Sequence, residues 1–189
     1  MEKSLLIGGF GGQGVMVSGQ LLCYAAAEET EDKFVTFFPS YGAEQRGGTA
    51  NCYVIISDDH IGSPMVDQTD ELMIFNNPSL EKFESCVRPG GMIFVNSSVV
   101  TKDPTREDVR VLKVPATDIA LELGNGRVQN LVMVGAYVGY TNLLDGEIIK
   151  RTAEKKLGRK RPEFIPLNNA AFQRGWDLGA AARAQEGKE

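Results

Sequence analysis

The residues with the clearest chemical potential lie near the start of the chain. Leu5-Leu6-Ile7-Gly8-Gly9-Phe10-Gly11-Gly12-Gln13-Gly14-Val15 runs from an apolar segment into a cluster of glycines, with Gly9, Gly11 and Gly14 at G-x-G-x-x-G spacing. In a strand-to-helix turn this spacing lets backbone amides approach a phosphate, and the positive end of the following helix adds to the attraction. Gly9, Gly11, Gly12, Gln13 and Gly14 are therefore candidates for anion binding; a tight turn without a ligand is the alternative. A second polar stretch, Pro39-Ser40-Tyr41-Gly42-Ala43-Glu44-Gln45-Arg46-Gly47-Gly48-Thr49-Ala50-Asn51, carries an arginine whose planar fork suits a phosphate or carboxylate. Ser40, Tyr41, Arg46 and Gly47 join the candidates, against the alternative of a solvated loop in which Arg46 pairs with Glu44. Asn130, polar within an apolar run, is either a ligand contact or a local backbone cap.

Other chemistries find little support. His60 is the single histidine and sits beside Asp58 and Asp59 in a polar stretch, which reads as a solvated turn rather than a metal site. Any Ser-His-Asp or Cys-His set would have to use it, and nothing singles out its partners. Cys23, Cys52 and Cys86 are far apart and form no C-x-x-C pair, so ferredoxin-type cluster spacing is absent. No catalytic set and no metal site are expected in this chain. The net charge of −5 argues against general nucleic-acid binding. There is no basic segment leading into a long apolar one near the start, and no run long enough for a membrane span, so a cytoplasmic protein is expected.

The elements that must position these residues follow from periodicity and punctuation. Apolar runs at 4–7, 34–38, 52–57, 71–75, 92–95 and 109–114 predict strands, alternating with helical patterns at about 14–29, 78–86, from 127, 145–157 and 168–184. That alternation predicts an α/β fold: three layers, with a Rossmann-like, mostly parallel sheet and helices on both faces. Asn77 is the expected cap of the short helix at 78–86, with Pro78 as its first residue. Residues 1–184 form one domain and 185–189 a frayed tail. If the sheet is parallel with a right-handed crossover, the polar stretch at 39–51 falls beside the opening turn. A dinucleotide site would place an acid at the end of the second strand, where this chain has Phe37-Phe38-Pro39-Ser40; NAD is thus disfavoured. Seven of the 20 basic residues crowd positions 150–161, either a partner or phosphate contact or a solvated face.

The turn at 8–15 followed by the motif at 39–52 resembles the gamma subunit of 2-oxoacid:ferredoxin (acceptor) oxidoreductases. Ile61-Gly62-Ser63-Pro64, Asn77-Pro78-Ser79-Leu80, Arg88-Pro89-Gly90-Gly91, Asn96-Ser97-Ser98, Asn130 and Asn168-Asn169-Ala170-Ala171-Phe172 extend the likeness over most of the chain. The 2-oxoglutarate and branched-chain 2-oxoacid types are the closest in appearance. The resemblance implies a subunit that is inactive alone and works with alpha and beta subunits, with a ferredoxin-like delta subunit as a further candidate. The assembly would convert a 2-oxoacid and coenzyme A (CoA) to acyl-CoA and CO2 and pass electrons to ferredoxin or a similar acceptor. Thiamine diphosphate, Mg2+ and iron–sulfur clusters would belong to the other subunits, since this chain lacks a thiamine motif and cluster cysteines. Here the glycine turn, Ser40, Tyr41, Arg46, Gly47 and Asn130 would form a CoA phosphate site or a subunit interface. The small subunit of indolepyruvate oxidoreductase and a stand-alone nucleotide-binding module are the alternative readings.

Overall fold

The computed structural model describes residues 1–29, 32–41, 49–159 and 161–187. Six strands form one sheet in the order β2-β3-β1-β4-β5-β6. These are β1 (Glu2–Phe10), β2 (Phe34–Tyr41), β3 (Thr49–Ser57), β4 (Thr69–Ile74), β5 (Val87–Asn96) and β6 (Arg110–Val114). β1, β4, β5 and β6 pair in parallel, while β3 is antiparallel to both β1 and β2. β1 and β4 are buried on both faces, as interior strands of a covered sheet must be.

Side chains leave the two faces into separate clusters. Leu5, Ile7, Val54, Met73 and Phe94 pack beneath α1 (Val15–Glu29), α3 (Ala116–Glu122), α4 (Gln129–Thr141), α5 (Gly146–Ala153) and α6 (Ile165–Glu186). Leu6, Leu72, Ile74, Ile93 and Val95 pack on the opposite face against Leu80 and Phe83 of α2 (Asn77–Phe83). The predicted three-layer α/β architecture therefore holds.

Several local expectations change. Residues 39–41 end β2 and 49–51 begin β3, with 42–48 outside the described residues; these two strands pair antiparallel, so this stretch does not belong to a parallel crossover. It still leaves the sheet near the glycine turn, because Phe10 pairs with Thr49 and Tyr41 with Ala50. Asn76, not Asn77, caps α2: its Oδ1 accepts from the Ser79 amide at 2.8 Å. Asn77 instead accepts from the Thr101 amide at 3.0 Å, tying down the loop that follows β5. α5 passes into a π-helical turn, Glu154–Gly158. The last helix continues through Glu186, past the expected boundary at 184, because the Glu186 carboxylate accepts from Tyr140 at 2.6 Å and Arg110 at 3.0 Å. Much of the basic run is paired: Lys150 with Glu147, Lys155 with Glu28, and Lys156 over the Tyr24 ring at 3.7 Å.

The decisive packing lies between α4 and α6. The sequence predicts one apolar face for α4, yet every residue from Asn130 to Tyr140 is buried, because the helix is enclosed between the sheet and α6. Gly135 and Gly139 of α4 and Gly175 and Gly179 of α6 stand at G-x-x-x-G spacing. A Cβ at Gly135 would overlap the Phe172 carbonyl, at Gly139 the Trp176 carbonyl, at Gly175 the Val132 carbonyl and at Gly179 the Ala136 carbonyl. Backbone therefore rests on backbone, and the rising order of these pairs shows that the helices run in the same direction. A further buried tie joins α4 to β4, where Tyr137 donates to the Glu71 carboxylate at 2.9 Å. Burial pushes the Glu71 carboxyl above its usual range, against the opposing effect of that bond.

Alanine is the better helix former by roughly 0.5–1 kcal/mol, but overpacking against a carbonyl costs about 1–3 kcal/mol. Gly175→Ala should therefore lower stability, and thermal melting should fall by up to roughly 10 °C for a chain of this size. Gly11→Ala, where an added Cβ meets no atom within 4 Å, should leave the melting temperature nearly unchanged.

Candidate functional site

The strand β1 delivers the glycine turn to the carboxyl end of the sheet, where α1 begins. Gly12 and Gly14 have φ of 94° and 86°, a region that side chains with a Cβ rarely adopt, which explains glycine at both. Gly14 is also pressed against α4: an added Cβ would lie 2.6 Å from the Asn130 Cβ. Gly9 is still within β1, closely backed by Val15, Gln13 and Phe75. Gly11 is exposed at the tip of the turn.

Gln13 points inward and fixes the turn. Its Oε1 accepts from the Phe10 amide at 2.7 Å and from Asn76 Nδ2 at 3.2 Å, and its Nε2 donates to the Phe75 carbonyl at 2.9 Å. Its amide is therefore committed to the junction of β1, β4 and α2, and it acts as a positioning residue. Asn96 plays a similar part at the end of β5, donating to Thr117 Oγ1 at 2.9 Å and Gln129 Oε1 at 3.1 Å. The asparagine-rich strand ends thus serve local structure.

A cavity of about 600 Å³ opens beside Gly12 and Gly14, walled by the starts of α4 and α6. Val17, Leu131 and Leu157 supply an apolar floor; Asn130 and Asn168 project polar groups into it; Arg127 and Arg161 stand at its rim. Asn125 accepts from the Arg127 amide at 3.0 Å and so sets the short turn that carries this arginine into α4. Arg161 follows the π-helical turn and lies 5.8 Å from the Phe164 ring centroid. Arg88, Arg106, Arg110 and Arg174 each pair with a carboxylate. Among the described residues Arg127 and Arg161 have no such partner. The starts of α4 and α6 carry no side-chain cap, and the first residue of α1 follows Gly14 directly. Three positive helix ends and two guanidinium groups without a carboxylate partner among the described residues therefore converge on one concave surface, an arrangement that favours a phosphate-bearing ligand.

Of the predicted site residues, the structure brings together Gly12, Gly14 and Asn130. Ser40 lies on β2, two strands from β1, or about 10 Å at ordinary strand spacing, and shares the opposite face with Thr36 and Phe38. Tyr41 ends β2, while Arg46 and Gly47 lie outside the described residues. Arg127, Arg161 and Asn168 were not singled out by spacing. Arg161 was hidden in a basic run that resembles a solvated face, and Asn168 carried no signal beyond the motif at 168–172.

The cysteines do not fit a metal cluster. Cys23 donates to the Thr36 carbonyl at 3.2 Å and Cys52 to the Val15 carbonyl at 3.5 Å, and burial pushes both thiols up to about 12. Among the described residues no group of three or more His, Cys, Asp or Glu side chains is placed to hold a metal ion. Likewise among them, no helix is long and apolar enough to cross a membrane.

The sequence profile of the pyruvate ferredoxin/flavodoxin oxidoreductase family matches residues 4–178. The chain is similar to the ketoisovalerate oxidoreductase subunit VorA of Methanothermobacter marburgensis, 42% identical over 178 residues; the match covers 93% of this chain but only 36% of that relative. Among solved structures it resembles the gamma subunit of a keto/oxoacid ferredoxin oxidoreductase from Geobacter sulfurreducens, with a TM-score of 0.81 and 29% identity, covering 95% of this chain and 99% of the other. It also resembles the 2-oxoglutarate:ferredoxin oxidoreductase from Magnetococcus marinus, a structure with 2-oxoglutarate, coenzyme A and succinyl-CoA bound. That match has a TM-score of 0.86 and 25% identity over 95% of this chain and 31% of the other.

Removing the inward amide in Gln13→Ala leaves the Phe10 amide and Asn76 without an acceptor. Urea unfolding should show a loss of about 1–3 kcal/mol, with faster amide exchange at Phe10 than in the parent chain.

Proposed function

This chain belongs to the pyruvate ferredoxin/flavodoxin oxidoreductase family, and we propose that it is the gamma component of a 2-oxoacid:ferredoxin oxidoreductase. The complete assembly oxidatively decarboxylates a 2-oxoacid, transfers the acyl group to CoA, and passes electrons to ferredoxin or a similar acceptor. The relatives named for ketoisovalerate and 2-oxoglutarate favour a branched-chain 2-oxoacid or 2-oxoglutarate as substrate. They are components of larger enzymes, which favours this reading over a stand-alone nucleotide-binding module. Thiamine diphosphate and iron–sulfur clusters, supplied by alpha, beta and delta-type partners, would carry decarboxylation and electron transfer.

The contribution of this chain is to receive CoA. The observation that carries the reading is the cavity shared by Gly12, Gly14, Arg127 and Arg161, where helix ends and guanidinium groups meet. The arginines would hold the phosphates while the rest of the cavity orients the thiol arm towards the partner chains. Fixing that end lowers the orientational cost of transfer at a distant reacting centre.

The magnitudes favour a shared site. One helix end near an anion contributes about 0.3–1 kcal/mol when exposed and up to about 2 when partly buried, whereas micromolar affinity needs about 8 kcal/mol. The isolated chain should bind CoA more weakly than micromolar. In the reconstituted complex, combined Arg127→Ala and Arg161→Ala should raise the KM for CoA by about 10-fold or more, from the loss of charge-assisted hydrogen bonds, without a similar change for the 2-oxoacid. Steady-state assays varying each substrate would check this; an unchanged CoA dependence would remove the cavity from the CoA path.

A further inference from the structure

Asn130 and Asn168 are 6% and 9% exposed, so each is more than nine-tenths buried. Both line the cavity beside Gly14. Among the described residues, neither side-chain amide takes part in a hydrogen bond. The similarly buried Asn76 and Asn96 behave differently. Asn76 caps α2 and donates to Gln13, and Asn96 bridges Thr117 and Gln129. Neither amide is among the described polar atoms that are sealed from solvent without a partner, so both stay open to the cavity, where a ligand can reach them.

Their placement is concerted. Asn130 is the second residue of α4 and Asn168 the fourth of α6, and the glycine contacts between Gly135 and Phe172 and between Val132 and Gly175 bring these helix starts to the same level. A primary amide presents an N–H donor and a carbonyl acceptor side by side. Its complement is a neutral group that carries both an acceptor and a donor, side by side as on an adenine edge or on opposite sides as in a trans secondary amide set between the two asparagines. The anionic part of a ligand is already served by Arg127 and Arg161 at the rim.

We propose that Asn130 and Asn168 are specificity-determining residues that hold a neutral donor–acceptor edge of the ligand, while the arginines hold its phosphates. The inference rests on the CoA reading of the cavity. In CoA that edge belongs either to the nucleobase or to the amides of the thiol arm.

The test uses the assembled complex carrying Asn130→Leu or Asn168→Leu, assayed with CoA and with pantetheine, which keeps the arm amides and lacks the nucleotide. Each variant should raise the KM for CoA by about 10-fold or more, as a ligand group is left unpaired, while the melting temperature without CoA stays level. Loss of affinity for both thiols assigns the edge to the arm; loss for CoA alone assigns it to the nucleobase. Asn130→Ala and Asn168→Ala remove the amide without adding a charge, and should also raise the KM for CoA if the leucine forms do not assemble. An unchanged KM for CoA in the asparagine variants, with the arginine variants impaired, overturns this inference alone. Unchanged KM in both sets overturns the CoA reading itself.

Discussion

The backbone contact between α4 and α6 is the constraint on which the rest of the site depends. Four glycines remove every Cβ from the line of approach, so carbonyl groups of one helix lie against the Cα atoms of the other. Such a contact admits one register. Sliding by a single residue would set Val134 or Ala136 of α4, or Arg174 or Trp176 of α6, where a glycine now lies. With the register fixed, the two helix starts reach the same height beside the glycine turn, and Arg127, Asn130 and Asn168 face one cavity. The Tyr137–Glu71 bond then ties this pair to β4, an interior strand of the sheet.

Around that anchor, polar groups divide into those that hold the structure and those left open. Gln13, Asn76 and Asn96 spend their amides on strand ends and helix starts, which makes the junctions rigid. Arg127, Arg161, Asn130 and Asn168 line the cavity and make no side-chain hydrogen bond or ion pair among the described residues. The electrostatic design is therefore local. An acidic protein of net charge −5 concentrates positive potential where three helix ends meet, so an anion is drawn to one concave surface and not to the surface at large.

Much of this was legible in the sequence, and the reasons are physical. The strand-and-helix alternation gave the layers because interior strands are nearly continuous apolar runs. The glycine spacing at 9–14 marked the turn because glycine adopts the positive φ of Gly12 and Gly14 far more readily than a residue with a Cβ. The antiparallel pairing of β2 and β3 was not legible, since a strand carries no local mark of whether its neighbour runs parallel or antiparallel. Nor was Gln13's inward role, because glutamine in a glycine loop has the same composition whether it meets a ligand or a carbonyl. Asn130 stood out as polar among apolar residues, whereas Asn168 and Arg161 acquired meaning only once α6 was placed against α4. The glycines of those helices were visible as small residues for close packing in α4, but the matching pair in α6 is a fact of tertiary pairing.

The most direct measurement of the central claim is hydrogen–deuterium exchange on the assembled complex with and without CoA. If the register of α4 and α6 builds the CoA site, added CoA should slow exchange together at the glycine turn, at the first turn of α4 and at the first turn of α6. Protection confined to other segments, or at the glycine turn without the two helix starts, would contradict it.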